Sequence, residues 1–207
     1  MTRTPRIDPM RLEGPQAELY ERYATGTRAA PGSDFSLVTA DGQLTGPPAA
    51  WMLEARLGLV LERLGQHVRF ELTLTPRERE IAILLVAEHE DSDFERYAHH
   101  RAAVRAGLSL EEIADLAAEA FAPRDAREGT LVHLVRTLLT GESLSDLDWR
   151  RTTDALGSTA AFEVVTLVGY YRMMALQLRA FAILPPPSSA PAASTAETVS
   201  GNVQNAD

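Results

Sequence analysis

Residues 77–100, REREIAILLVAEHEDSDFERYAHH, hold the side chains of this sequence that are best suited to proton transfer. Glu80 precedes an apolar run, and Glu95 and His99 follow it. Because Glu95 and His99 are four residues apart, they share a face if they lie on one helix. A carboxylate in that position holds an imidazole in one tautomer and favours its charged form. The spacing predicts a general acid–base pair near neutral pH, which Glu80 joins if the fold brings it close.

Two other interpretations of the same residues stay open. A solvated i,i+4 pair such as Glu95–His99 stabilises a helix by ~0.2–0.5 kcal/mol without any catalytic role. Two carboxylates and one imidazole also offer metal ligands, although Glu-x-x-x-His differs from the His-Glu-x-x-His zinc motif. We predict a site that uses neither a metal nor a cofactor, with metal binding as the alternative.

Three arginines are candidates for holding a substrate carboxylate. The chain has a formal net charge of -9, so an acidic substrate needs a nearby cation to offset long-range repulsion. Arg96 directly follows Glu95, Arg101 comes two residues after His99, and Arg172 lies beside two tyrosines in the last predicted helix. A guanidinium group binds a carboxylate through two parallel hydrogen bonds. Each of the three has an alternative role in an ion pair at the surface or at a subunit interface.

The composition limits the classes of function. The chain has 207 residues, of which 45% are hydrophobic and 24% charged, as in ordinary soluble domains. It has no cysteine, which excludes disulfides, zinc–thiolate sites and thiol catalysis. It shows no basic stripe, so we expect no nucleic-acid partner. It has no signal peptide or run of ~18 apolar residues, so we expect a cytoplasmic protein that does not enter membranes.

Helical periodicity extends over almost the whole chain, and we predict an all-α protein of about seven to eight helices. Residues 14–184 are expected to form one domain, after an N-terminal arm at 1–13. The segment 185–207 is rich in Pro, Ala, Ser and Thr and is predicted to be a disordered tail. The stretch 27–47 contains glycine and proline turn signals and is predicted to be irregular, as a pocket lid or an arm that contacts another subunit.

Local signals mark several of the helices. Thr75, Pro76 and Glu78 form a predicted capping box that starts one helix. Residues 49–68 are predicted to form a single helix. Residues 158–182 are predicted to form the most apolar helix, which suits burial on several faces in the core or against another subunit.

The segment from about 46 to 183 resembles the carboxymuconolactone decarboxylase family, whose superfamily includes alkylhydroperoxidase D. The resemblance rests on LTPREREIAILLVAEHEDSDFERYAHHRAAVRAGLSLEEI and FEVVTLVGYYRMMALQLRAFAI. In the peroxidase branch the active-site motif is Cys-x-x-Cys-x-x-x-His, with a Glu twelve residues before the first Cys. Aligned without a gap, Ser92 takes the first Cys position and Glu95 the second, whereas Glu80 and His99 match the Glu and the His.

This resemblance implies an alkylhydroperoxidase D-like fold and, because both sulfur positions are lost, a decarboxylase-type site. Glu80, Glu95 and His99 are then the catalytic residues of a cofactor-free lyase or isomerase that acts on a small lactone, carbonyl or aromatic acid in aromatic compound catabolism. His99, polarised by Glu95, would move a proton to or from a carbon next to a carbonyl. The family also implies a homo-oligomer, typically a trimer or hexamer. The alternatives are a metal-assisted or peroxide-related oxidoreductase and a non-catalytic binding or assembly protein.

Overall fold

The computed structural model describes residues 2–25 and 36–186, and within these ranges the protein is all-helical, without a β-sheet. The predicted all-α class is therefore confirmed. The nine α-helices of the described residues are Gly14–Ala24 (α1), Pro47–Trp51 (α2), Ala55–Phe70 (α3), Pro76–His89 (α4), Asp93–Arg105 (α5), Leu110–Ala117 (α6), Ala126–Thr140 (α7), Asp146–Leu156 (α8) and Ser158–Ala180 (α9).

Helix α4 lies at the centre of the fold, with α5, α6, α7 and α9 packed around it. It begins at the predicted capping box, in which Thr75 and Glu78 exchange side-chain to backbone hydrogen bonds. The run from Ile81 to Ala87 has no polar side chain, and all seven residues are buried. Because no face of this run can meet water favourably, it is covered on every side.

The prediction of one helix over residues 49–68 is wrong. The structure breaks it into α2 and α3, with Glu54 as the N-cap of α3, where its side chain accepts a hydrogen bond from the Arg56 backbone. The break lets α3 change direction and pack closely on α1 through Gly58, which has Leu19 and Trp51 against it. Long-range packing therefore overrides a helical periodicity that continues through the break.

The N-terminal arm packs against the irregular stretch before α2 and against the end of α9. Gln43 exchanges two hydrogen bonds with the backbone of Ile7, and the Arg3 side chain donates to the carbonyl of Ala180 at the end of α9. Within the predicted irregular stretch, Val38 and Leu44 form an isolated antiparallel bridge. Residues 27–35 of that stretch and 187–207 of the predicted tail lie outside the described residues.

Helix α9 is the last and longest helix of the described ranges, and it is buried along one side. The side chains of Val164, Leu167 and Tyr171 are covered by the core, whereas Phe162 and Leu176 are exposed. None of the helices in residues 2–25 and 36–186 has the length and hydropathy needed to cross a lipid bilayer.

Candidate active site

A tight turn between α4 and α5 brings distant acid–base side chains together. Helix α4 ends at His89 with Glu90 as its C-cap, and Asp91 adopts a left-handed backbone conformation with φ of 49°. Ser92 is the N-cap of α5, and α5 packs against α4. Because the chain reverses at this turn, Glu80 near the start of α4 faces His99 on α5.

The three side chains that were predicted to be catalytic meet within one chain. Nδ1 of His99 lies 2.7 Å from Oε2 of Glu80, and Nε2 lies 3.5 Å from Oε2 of Glu95. His99 is 2% exposed, and both carboxylates are also buried. The ring of Tyr171 meets the imidazole edge-on, with centroids 5.1 Å apart. The arrangement is thus a buried carboxylate–imidazole–carboxylate cluster and does not fit a solvated surface pair.

The electrostatics of the cluster keep Glu80 ionised at neutral pH. Burial by itself raises the pKa of the Glu80 carboxyl. The charge of His99 and its hydrogen bond, helped by Arg69 and Arg79, outweigh burial and place this pKa below its ordinary value of 4.5. An ionised Glu80 accepts a hydrogen bond from the Nδ1–H group of His99, which directs Nε2 toward Glu95.

The geometry suits proton transfer better than metal binding. The two carboxylates meet opposite nitrogens of one imidazole ring, so the three groups do not converge on a common point. In the described part of the chain, no three His, Asp or Glu side chains are arranged to hold a metal ion.

A small cavity of about 50 Å³ gives access to the cluster. Glu95 and His99 line it, whereas Glu80 lies behind the imidazole ring. At ~10–15 Å³ for each water molecule, the cavity has room for on the order of four waters. Its other walls are mainly apolar and are formed by Leu37, Pro47, Pro48, Trp51, Gly65, Phe94, Ala98, Tyr170 and Met174.

Two further polar side chains line this cavity, and sequence reasoning did not assign either of them to it. These are Arg69, from the last turn of α3, and Tyr171, from α9. Gly58 and Gly65 lie on the buried face of α3 at i and i+7, and Arg69 follows at i+11. Two glycines on one helix face indicate that this face packs closely on a neighbour. Because Arg69 lies on the same face, this pattern could have identified it as a residue of the interior.

The three predicted arginines do not reach the cavity. Arg96 binds the carboxylates of Glu88, Asp91 and Asp93, at 3.3, 2.8 and 2.6 Å respectively. The Nε group of Arg172 donates to Glu90 Oε1 at 2.8 Å. For Arg96 and Arg172 the structure therefore agrees with the alternative role in ion pairs.

Two other predicted positions also lie away from the cavity. Arg101 is exposed on α5. Ser92, at the position of the first cysteine in the resemblance, is buried at the start of α5 and is not part of the cavity wall.

The chain was also compared with known proteins. No protein-family model matches it, and no curated protein matches it.

Proposed function

We propose that this protein is a cofactor-free acid–base enzyme, a lyase or isomerase for a small lactone, carbonyl or aromatic acid, as the resemblance to the carboxymuconolactone decarboxylase family implies. The observation that carries the proposal is the 2.7 Å contact between Glu80 and His99. This contact orients the imidazole so that its other nitrogen, Nε2, faces Glu95. Both His99 and Glu95 line the cavity. General acid–base catalysis requires such a positioned proton carrier.

The three residues have different tasks in this proposal. Glu80 positions the ring and stabilises its positive charge, since it contacts His99 and lies outside the cavity wall. His99 and Glu95 transfer the proton, because both line the cavity. In a decarboxylation, departure of CO2 leaves an electron pair on carbon, and protonation of that carbon completes the reaction. In an isomerisation, the same pair removes a proton from one carbon and returns it to another.

Arg69 and Tyr171 supply the remaining groups that such a substrate needs. The guanidinium of Arg69 binds the substrate carboxylate, in place of the three arginines named from the sequence. Burial raises the pKa of the Tyr171 hydroxyl, which keeps it protonated. A protonated phenol donates a hydrogen bond to the substrate carbonyl oxygen, where negative charge develops as a proton leaves the neighbouring carbon.

The size of the cavity favours a small substrate. A volume of about 50 Å³ lies well below the ~300–1,000 Å³ of drug-sized ligand pockets. We therefore expect acids of a few carbon atoms, such as small 2-oxo acids and lactone acids, to be better substrates than large bicyclic acids.

Proton exchange at carbon tests the proposal without knowledge of the natural substrate. A panel of small 2-oxo and lactone acids is incubated with the protein in D2O, and deuterium incorporation next to the carbonyl is followed by NMR. We expect incorporation with the wild type and its loss in His99→Gln. His100→Gln is the matched control, because this neighbouring histidine is exposed. Equal incorporation in His99→Gln, or none with any acid in the wild type, would contradict the proposal and favour a binding or assembly role.

We also propose that the chain forms a homo-oligomer, a trimer or hexamer as the resemblance implies. Exposed apolar side chains on α3 and α9, among them Val60 at 63% and Phe162 at 70%, support self-association. Light scattering after size-exclusion chromatography measures the mass, and a monomer at micromolar concentration would contradict the proposal. The cytoplasmic location stays a prediction from the sequence.

A further inference from the structure

A second cavity, of about 300 Å³, lies between the C-terminal parts of α4, α6 and α7. It is about six times as large as the cavity at His99 and reaches the lower end of the ~300–1,000 Å³ range of ligand pockets. Leu85, Leu116 and Leu139 give it an apolar floor. The remaining lining residues are Glu88, His89, Ala117, Glu119, Arg136 and Thr140.

Arg136 is the unusual member of this wall. Its Nη2 atom is buried and has no hydrogen-bond partner among the described residues. Arg77, by comparison, is held by the carboxylates of Glu112 and Glu128. A buried guanidinium nitrogen without an acceptor is unfavourable, so an acceptor that enters with a ligand stabilises it.

The same cavity also contains two acidic side chains, Glu88 and Glu119. Glu88 binds Arg96 at 3.3 Å. Glu119 is exposed and lies just beyond α6 with a left-handed backbone, φ 58°. No ion pair joins either carboxylate to Arg136. The cavity therefore combines an apolar floor with one guanidinium group that pairs with neither of the two carboxylates in the lining.

We propose that this cavity binds a small carboxylic acid with an apolar body, at a site separate from the one at His99. The carboxylate accepts hydrogen bonds from Arg136, whose long side chain turns its covered nitrogen toward the ligand. The apolar body lies on Leu85, Leu116 and Leu139. Because α4 carries both Leu85 and Glu80, a ligand here contacts the same helix that positions the imidazole.

Titration calorimetry with hexanoate as the probe tests the site, since hexanoate has one carboxylate and a short apolar chain. Hexanol and inorganic phosphate are the matched probes, because each lacks one of these two parts. The variants are Arg136→Met, which removes the charge, and Ala117→Trp, which narrows the cavity from an exposed position. His99→Gln changes the other cavity, so weaker hexanoate binding in this variant would mean that hexanoate binds there.

We expect hexanoate to bind the wild type and His99→Gln with equal affinity. Loss of a charge-assisted hydrogen bond weakens binding roughly tenfold or more, so Arg136→Met should bind hexanoate at least that much more weakly. Ala117→Trp should also bind hexanoate more weakly, because the indole ring takes up space in the cavity. Hexanol and phosphate should bind the wild type more weakly than hexanoate.

Four outcomes would overturn the proposal: no binding of hexanoate to the wild type, unchanged binding in Arg136→Met, loss of binding in His99→Gln, or phosphate binding as tight as that of hexanoate. Arg136→Met is expected to fold, because it removes an unpaired buried nitrogen. Ala117→Trp keeps the test decisive if Arg136→Met does not fold.

Discussion

Nδ1 of His99 lies 2.7 Å from Oε2 of Glu80, although the two residues are 19 positions apart in the chain. The contact joins α4 to α5 and uses the ring nitrogen that faces away from the cavity. In the proposed reaction, Glu80 acts through the imidazole, in the way that a buried carboxylate orients a catalytic histidine in hydrolases.

Replacing Glu80 by Gln should lower the rate of proton exchange about 100-fold or more, since a misoriented acid–base group loses a large part of its ~10²–10⁴-fold effect. Gln keeps the size of the side chain but offers Nδ1 no negative charge. The exchange rate is measured across pH for both proteins. A rate and a pH profile equal to those of the wild type would mean that Glu80 does not act through His99.

The same pair should make folding sensitive to acid. The pKa of Glu80 is lowered in the folded protein, so its stabilising effect is present above the ordinary value of 4.5 and is lost as pH falls through the folded pKa. Urea unfolding of the wild type and Glu80→Gln at pH 7 and at decreasing pH measures the effect. The difference in stability between the two proteins should shrink as the pH falls, and a difference independent of pH would contradict the assignment.

Arg69 and Arg172 provide a direct comparison between a cavity arginine and a surface arginine. Arg69→Met should raise KM for an acidic substrate roughly 10- to 100-fold, the effect of losing hydrogen bonds to a charged group. Arg172→Met should leave KM unchanged, because its partner is Glu90, which is not part of the cavity wall. Steady-state kinetics with the acid found in the exchange panel measures both. A raised KM in Arg172→Met with an unchanged KM in Arg69→Met would instead favour Arg172, the arginine predicted from the sequence, as the substrate-binding residue.

Two glycines on different helices should respond to alanine in opposite directions. A Cβ at Gly58 would lie 2.8 Å from both Leu19 Cδ2 and Trp51 Cβ, so Gly58→Ala should destabilise the protein by about 1–3 kcal/mol. Gly169 is exposed in α9 and has open space around it, so Gly169→Ala should stabilise by up to ~1 kcal/mol. Urea unfolding measures both. A loss of stability in Gly169→Ala would indicate that a second copy packs on this glycine.

The buried ion cluster around Arg77 should be the most sensitive charged site in the fold. Arg77 binds Glu128 at 2.5 Å and Glu112 at 2.6 Å, and removing one partner of a buried pair costs about 3–5 kcal/mol. Arg77→Met should lose roughly that amount. Arg124→Met, whose side chain is half exposed beside the same Glu112, should lose at most ~1 kcal/mol.

The pKa of Glu112 provides a second, independent test of the contact between Arg77 and Glu112. The hydrogen bond from Arg77 lowers the pKa of Glu112 to about 2. In Arg77→Met this pKa should return toward its ordinary value of 4.5. NMR titration of the glutamate carboxyl carbons measures the shift, and an unchanged low pKa would show that other groups hold the charge.

Features set by neighbouring residues could be read from the sequence. The start of α4 depends on Thr75 and Glu78, which bond to each other's backbone three residues apart. The Glu95–His99 relationship follows from helix geometry over four residues. The all-α class follows from periodicity that repeats along the chain. Each of these depends on energies that act within one or two helical turns.

The break between α2 and α3, and the choice of arginine at the cavity, could not be read in the same way. Packing of α3 and α9 around the cavity places Arg69 in its wall and leaves Arg172 with Glu90. The packing of helices around the apolar α4 determines where these side chains lie. Its energy is the sum of many weak contacts between residues that are distant in the chain.

The sequence by itself determined that this chain is helical, that it lacks thiol chemistry, and that Glu95 and His99 share a helix face. Only the tertiary structure decided that Glu80 reaches the far side of the imidazole, that the cluster is buried, and that Arg69 and Tyr171 join it. The physical reason is that hydrogen bonds and capping act over a few residues, whereas burial and the electrostatics of a site depend on which helices meet.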